Sequence, residues 1–99
     1  MAQPQPHFFD ALEKYDPEFY KAATAFRNAS RGPSLDNKTR VLITMALDAT
    51  NGAAHGVKNL ARQARALGAT ENEIREVLRL VASTKMNEAL STSMHAFEE

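Results

Sequence analysis

The most informative absence in this 99-residue sequence is cysteine, which does not occur once. Without a thiol the chain has no disulfide, no thiolate metal ligand and no cysteine nucleophile. An excess of one charge is also missing, because twelve basic residues balance twelve acidic ones and the formal net charge is zero. A neutral chain has no general attraction to nucleic acid or to anionic lipid, so neither is expected as a partner.

Long apolar runs and β-branched residues are scarce as well. No apolar stretch approaches the roughly 20 residues that cross a bilayer, and the polar, proline-containing residues 1–7 are not typical of a secretory signal. A cytoplasmic location is therefore expected. Four valines and two isoleucines against 17 alanines and nine leucines predict an all-α fold. Such a small, alanine-rich domain buries little apolar surface, so we expect one domain over 1–99 that oligomerises.

Helix start and stop residues predict about six helices. The first is expected near 6–14, and the second begins at Asp16-Pro17-Glu18, where an N-cap precedes a proline at the first helical position. The second helix ends near Gly32-Pro33, which cannot continue a helix. The third, near 36–50, is apolar almost all round and is expected to be buried on every side.

The second half of the chain contains the clearest helix start. The fourth helix is expected over about 53–67, and a capping box formed by Thr70 and Glu73 begins the fifth. A break near 84–87 then separates the fifth helix from a last one. The last helix carries Leu90, Met94 and Phe97.

Candidate chemical groups are few. The three histidines do not form an i, i+4 metal-binding pair, and no phosphate-binding loop or serine elbow occurs, so no metal and no cofactor are expected. Lys58, Arg62 and Arg65 form a basic stripe on the fourth helix, which suits either an anionic ligand or simple solvation. Glu71 is expected to pair with Arg75 at i, i+4.

Three motifs together resemble the carboxymuconolactone decarboxylase family, which includes the alkylhydroperoxidase D group. They are Leu35-Asp36-Asn37-Lys38-Thr39-Arg40, Asn51-Gly52, and Gly68-Ala69-Thr70-Glu71-Asn72-Glu73-Ile74. Their order and spacing match over about 35–82, which leaves 6–30 as an N-terminal helical extension. The resemblance implies an alkylhydroperoxidase D-like helical fold that assembles into homotrimers or homohexamers.

The peroxidase members of this family carry Cys-x-x-Cys, a histidine four residues later, and a glutamate on the preceding helix. The two cysteine positions correspond to Ala53 and Gly56 here, the histidine to Leu60, and the glutamate to Val41. Only His55, which some members carry between the cysteines, is retained. The resemblance therefore implies a member that has lost the thiol peroxidase relay.

Two functions remain open, beside a purely structural oligomer without a ligand. The first is an oligomeric binding or accessory protein. The alternative is a cofactor-free decarboxylase or lactone-handling enzyme that acts on a small carboxylate. For that chemistry, Arg40 and His55 are the candidate catalytic residues, and Lys58 and Arg62 are the candidate ligand-binding residues. The competing interpretations are a helix-capping role for His55 and a surface ion pair for Arg40.

Overall fold

A computed structural model describes residues 6–99 and confirms the all-α fold. Its elements are α1 (His7–Tyr15), α2 (Pro17–Ala29), α3 (Asn37–Thr50), α4 (Ala54–Ala66), α5 (Glu71–Ser93) and a terminal 3₁₀ turn (Met94–Phe97). No strand occurs in this described range. Residues 1–5, which belong to the segment expected not to be a signal, lie outside it. Internal contacts divide the chain into two compact units, one ending at Asp36 and the other spanning Asn37–Glu99.

The first unit is a pair of helices, α1 and α2, that pack against each other. The predicted start of α2 is confirmed, because the Asp16 side chain accepts the Phe19 N–H at 3.1 Å and Pro17 is the first helical residue. The Phe9 ring meets Tyr20 edge-on, with 6.1 Å between the ring centres. No residue of either helix is fully buried.

The second unit is organised around α3, which packs against both α4 and α5. Val41 and Met45 on α3 are completely buried and form the centre of its core. The expectation that α3 is buried on every side is wrong within the chain, because Ile43 is 45% and Leu47 57% exposed. Two neighbouring helices cover only part of the circumference of α3, and the rest of its apolar surface stays open.

The turns that end α3 and α4 depend on glycine, as the sequence predicts. Gly52 and Gly68 adopt φ angles of +72° and +95°. These angles lie in the left-handed region, which is strained for a residue with a Cβ. The sharp turn at Gly52 lets α4 run back along α3 as an antiparallel hairpin.

Helix α5 is continuous for 23 residues, so the predicted break near 84–87 is wrong. The segment contains polar residues but no glycine or proline, and polar residues alone do not end a helix. Its side chains also find local partners: the Ser83 hydroxyl donates to the Leu80 carbonyl at 3.2 Å, and Lys85 pairs with Glu88 at 3.1 Å.

The start of α5 is fastened to the start of α3 by one carboxylate. The predicted capping box is confirmed: the Thr70 N–H donates to Oε1 of Glu73 at 2.8 Å, and the Glu73 N–H donates to the Thr70 hydroxyl at 3.0 Å. The second oxygen of Glu73, Oε2, accepts from Nζ of Lys38 at 3.0 Å. One side chain therefore caps α5 and ties it to α3.

A second ion pair joins the end of α4 to the start of α5. The guanidinium of Arg65 donates through Nε and Nη2 to the two oxygens of Glu71, at 2.9 and 3.2 Å. The expected pairing of Glu71 with Arg75 is confirmed only as an attraction between charges that lowers the Glu71 pKa, because the hydrogen bonds to Glu71 come from Arg65 while Arg75 donates to Asn72. Arg65 is thereby removed from the basic stripe as a ligand-binding candidate.

Replacement of the cap tests the anchoring of α5. We expect Thr70→Ala to lower the free energy of unfolding by about 1 kcal/mol, because the first-turn N–H of Glu73 loses its acceptor. Urea denaturation followed by circular dichroism measures the change. The matched control is Thr84→Ala, an exposed position inside the same helix, where alanine leaves the stability equal or slightly higher. Equal losses in both variants would contradict the capping role.

The hydrogen bonds and ion pairs of Glu73 and Glu71 make the free energy of unfolding depend on pH. The Thr70 N–H and then Lys38 hold the pKa of Glu73 below its ordinary 4.5, and the hydrogen bond from Arg65 does the same for the pKa of Glu71. The unfolded chain therefore binds protons more readily, so this stability is present above about pH 4.5 and is lost as the pH falls through the lowered values. The urea concentration at the midpoint of unfolding should fall as the pH is lowered below about 4.5. Glu73→Gln should flatten the dependence, and an unchanged slope would count against the pairing.

Candidate functional site

The α3–α4 hairpin carries every residue that the sequence nominates for function. Its register is visible where the last turn of α3 meets the first turn of α4, because Gly56 lies directly against the side chain of Asp48. The helices are antiparallel, so residues earlier in α3 lie level with residues later in α4.

Arg40 and His55 stand near opposite ends of this hairpin. Arg40 lies in the first turn of α3, is partly buried, and donates from Nη1 to Oδ1 of Asn37 at 2.6 Å. His55 is exposed in the first turn of α4. Ten residues separate Arg40 from Thr50 at the end of α3, a distance of about 15 Å along the helix. A single chain therefore does not bring the two side chains to one small ligand, and their catalytic roles stay predictions.

Lys58 and Arg62 form a pair of exposed cations on α4. They are four residues apart and therefore share one face of the helix. Neither side chain makes a hydrogen bond or an ion pair within the part of the chain that the structure describes. This leaves both available to an anion, in contrast to Arg65, whose guanidinium is held by Glu71.

The four positions that correspond to the thiol relay carry no group able to perform it. Val41 is completely buried in the core between the helices, and Leu60 is partly buried on α4. Ala53 is the exposed residue before α4, and Gly56 presents no side chain at all. None of these residues can hold a proton or form a disulfide, so the hairpin lacks both the nucleophile and the proton relay.

Two other kinds of site are absent from residues 6–99. No group of three or more histidine, aspartate or glutamate side chains is placed to hold a metal ion. No helix in this range combines the length and apolarity needed to cross a membrane.

The sequence alone does not show the contacts that three residues, Lys38, Glu73 and Asp48, make with distant parts of the chain. Lys38 and Glu73 are 35 residues apart in the chain, and nothing local indicates that they form a pair. Asp48 did carry a signal, since it is the single acidic residue of α3 and lies in its last turns, as Gly56 lies in the first turn of α4. An antiparallel hairpin places such residues together.

Comparison with known proteins agrees with these motifs. A sequence profile described as the carboxymuconolactone decarboxylase family matches residues 17–99. The chain is also 34% identical over 73 residues to the uncharacterized protein MJ1511 of Methanocaldococcus jannaschii, an alignment that covers 73% of this chain and 68% of the relative. The chain therefore belongs to the carboxymuconolactone decarboxylase family. The matched region includes α2 and all of the second unit.

Proposed function

We propose that this chain is a self-assembling, cytoplasmic member of its family that does not use thiol chemistry and acts as a binding or accessory protein. The observation that carries the proposal is the complete replacement of the relay. There is no cysteine in the chain, and apolar residues occupy the glutamate and histidine positions at Val41 and Leu60. One substitution could not restore such a site, so another role must account for this hairpin.

Self-assembly is supported by how little of the chain is buried. Only four hydrophobic residues of the described range lie in the core: Val41, Met45, Ala64 and Ile74. Many large apolar side chains are exposed instead, which is unfavourable for an isolated chain of this size. The cost of hydrating that surface falls when a partner covers it.

A second copy of the chain is the partner that fits the end of α5 best. Met86, Leu90 and Met94 follow one another at four-residue spacing and are 55%, 51% and 51% exposed. Such a row forms a ridge that packs into the groove of another helix. Beside this row, Lys85 and Glu88 pair with each other at 3.1 Å, so their opposite charges offset one another where two copies would meet. A homotrimer or homohexamer would repeat this contact around its axis.

A small carboxylate is the ligand that the unpaired cations on α4 would bind. Lys58 and Arg62 supply positive charge, and the Arg62 guanidinium can hold a carboxylate through two hydrogen bonds. The same two residues support the second candidate function, a cofactor-free decarboxylase or lactone-handling enzyme, since both functions begin with capture of a small carboxylate. Turnover of a lactone carboxylate by the purified protein would favour the enzyme.

Native mass spectrometry tests assembly and ligand together. We expect the wild-type protein to have the mass of three or six chains, and Leu90→Glu to shift it to smaller species because a carboxylate cannot be buried unpaired in an apolar contact. Thr92→Glu is the matched control. It adds the same charge on the opposite side of α5 and should leave the assembly intact.

Each outcome of that experiment bears on the proposal. A monomeric wild-type protein, or equal assembly of both glutamate variants, would contradict self-assembly through α5. A bound mass of carboxylate size that disappears in Arg62→Ala would support the ligand. A stoichiometric ligand that the Arg62→Ala protein retains would show that these cations do not hold it.

Peroxide reduction should be absent. We expect no catalytic reduction of an organic hydroperoxide above the buffer blank when a dithiol reductant is supplied, because the chain has no thiol that could attack the peroxide bond and be regenerated by the dithiol. Coupled oxidation of the dithiol measures the rate. Turnover that rises in proportion to protein concentration would overturn the exclusion.

A further inference from the structure

The junction of α3 and α4 contains an unusually close approach between a carboxylate and a helix backbone. A Cβ atom built on Gly56 would lie 2.9 Å from Cγ of Asp48 and nearer still to its Oδ2. The same Cβ would lie 3.6 Å from the Asp48 Cβ, which is an ordinary contact. The three nearest atoms to this Cβ all belong to Asp48, so the carboxylate is the group that occupies the position of a Cβ at residue 56.

A negative charge near the start of α4 stabilises that helix. Ala53 precedes the helix without any side-chain cap, and the first turn contains no acidic residue. The first N–H groups of a helix lack intrahelical partners and carry the positive end of its dipole, which an anion stabilises. The Asp48 carboxylate lies against Gly56 in this first turn, so α3 brings a negative charge close to a helix start whose own sequence contains none.

From this geometry we propose that Asp48 and Gly56 act as a coupled pair that determines what chemistry the junction can host. The carboxylate of Asp48 occupies the space that a side chain at 56, including a thiol, would require. A side chain at position 56 therefore enters the junction only if the Asp48 carboxylate turns away from its present position. What this pair implies for function rests on the proposed non-thiol function. The energetic coupling between positions 48 and 56 does not depend on it.

A double-mutant cycle separates this coupling from simple helix packing. We expect Gly56→Ala to lower the thermal midpoint of the wild-type protein, because the new methyl group displaces the carboxylate from the start of α4. In an Asp48→Ala background the same Gly56→Ala change should raise the midpoint, because alanine favours a helix more than glycine does. All four proteins are compared at one concentration. A change of the same sign and size in both backgrounds would overturn the proposal.

Introduced cysteines test the chemical consequence. Ala53→Cys with Gly56→Cys places two thiols one helical turn apart, and glutathione disulfide can oxidise them to an intramolecular bond. The two thiols then lose two electrons and two protons, and two molecules of reduced glutathione form. We expect the bond to form about tenfold faster when Asp48→Ala is added, as measured by the loss of titratable thiols. Equal rates with and without that change would contradict the proposal.

Asp48→Asn distinguishes space from charge in this experiment. The amide has the size of the carboxylate, so the two cysteines should remain slow to oxidise in its presence. Rapid oxidation with Asp48→Asn would show that the negative charge, and not the occupied space, excludes the thiols, and would overturn the spatial part of the proposal.

The outcome is also independent of the proposed function. The triple variant should form its disulfide and still fail to reduce peroxides, because Val41 and Leu60 cannot transfer protons. Failure of the proposed function would appear in the mass of the assembly or in peroxide turnover by the wild-type protein. Failure of the present inference would appear only in the thermal midpoints and thiol rates.

Discussion

The carboxylate of Glu73 is the interaction on which the second unit depends. One oxygen accepts the Thr70 N–H and begins α5, while the other accepts the Lys38 ammonium and holds α5 to the first turn of α3. Without the first contact the start of α5 keeps the Thr70 hydroxyl as its side-chain cap but loses half of the capping box, and without the second this start loses its ion pair to α3. Arg65 and Glu71 add a second ion pair at the start of α5, which joins it to the end of α4.

This interaction explains why the chain retains the motifs of its family although the relay is gone. Lys38 belongs to the first motif, while Thr70 and Glu73 belong to the last, and the structure gives all three a structural task. The relay positions are other residues: Val41 and Leu60 are covered to different extents within the hairpin, Gly56 lies against Asp48, and Ala53 is exposed before α4. The scaffold and the chemistry therefore use different residues, and one can be lost while the other is kept.

Local patterns predicted the features that depend on local contacts. The cap at Asp16, the capping box at Thr70 and the glycine that ends α4 all act within a few residues of the chain, so their signals are complete in the sequence. The pairs Lys38–Glu73 and Asp48–Gly56 join distant segments, and only the fold reveals them. Separation of Arg40 from His55 likewise follows from the antiparallel hairpin, which composition cannot show. The segment 84–87 continues α5, because it contains neither glycine nor proline and its polar residues are compatible with a helix.

The apolar surface of α3 that stays exposed in one chain agrees with the proposed self-assembly. The middle of α3 is apolar on most of its sides and is stabilised when those sides are covered, yet Ile43 and Leu47 remain about half exposed in one chain. The exposed ridge at the end of α5 presents the same difficulty. Both are resolved if the sequence is selected for an assembly in which a neighbouring copy supplies the missing cover. The pattern of α3 then describes the burial of the assembled protein, and the single chain shows only the part that it can bury alone.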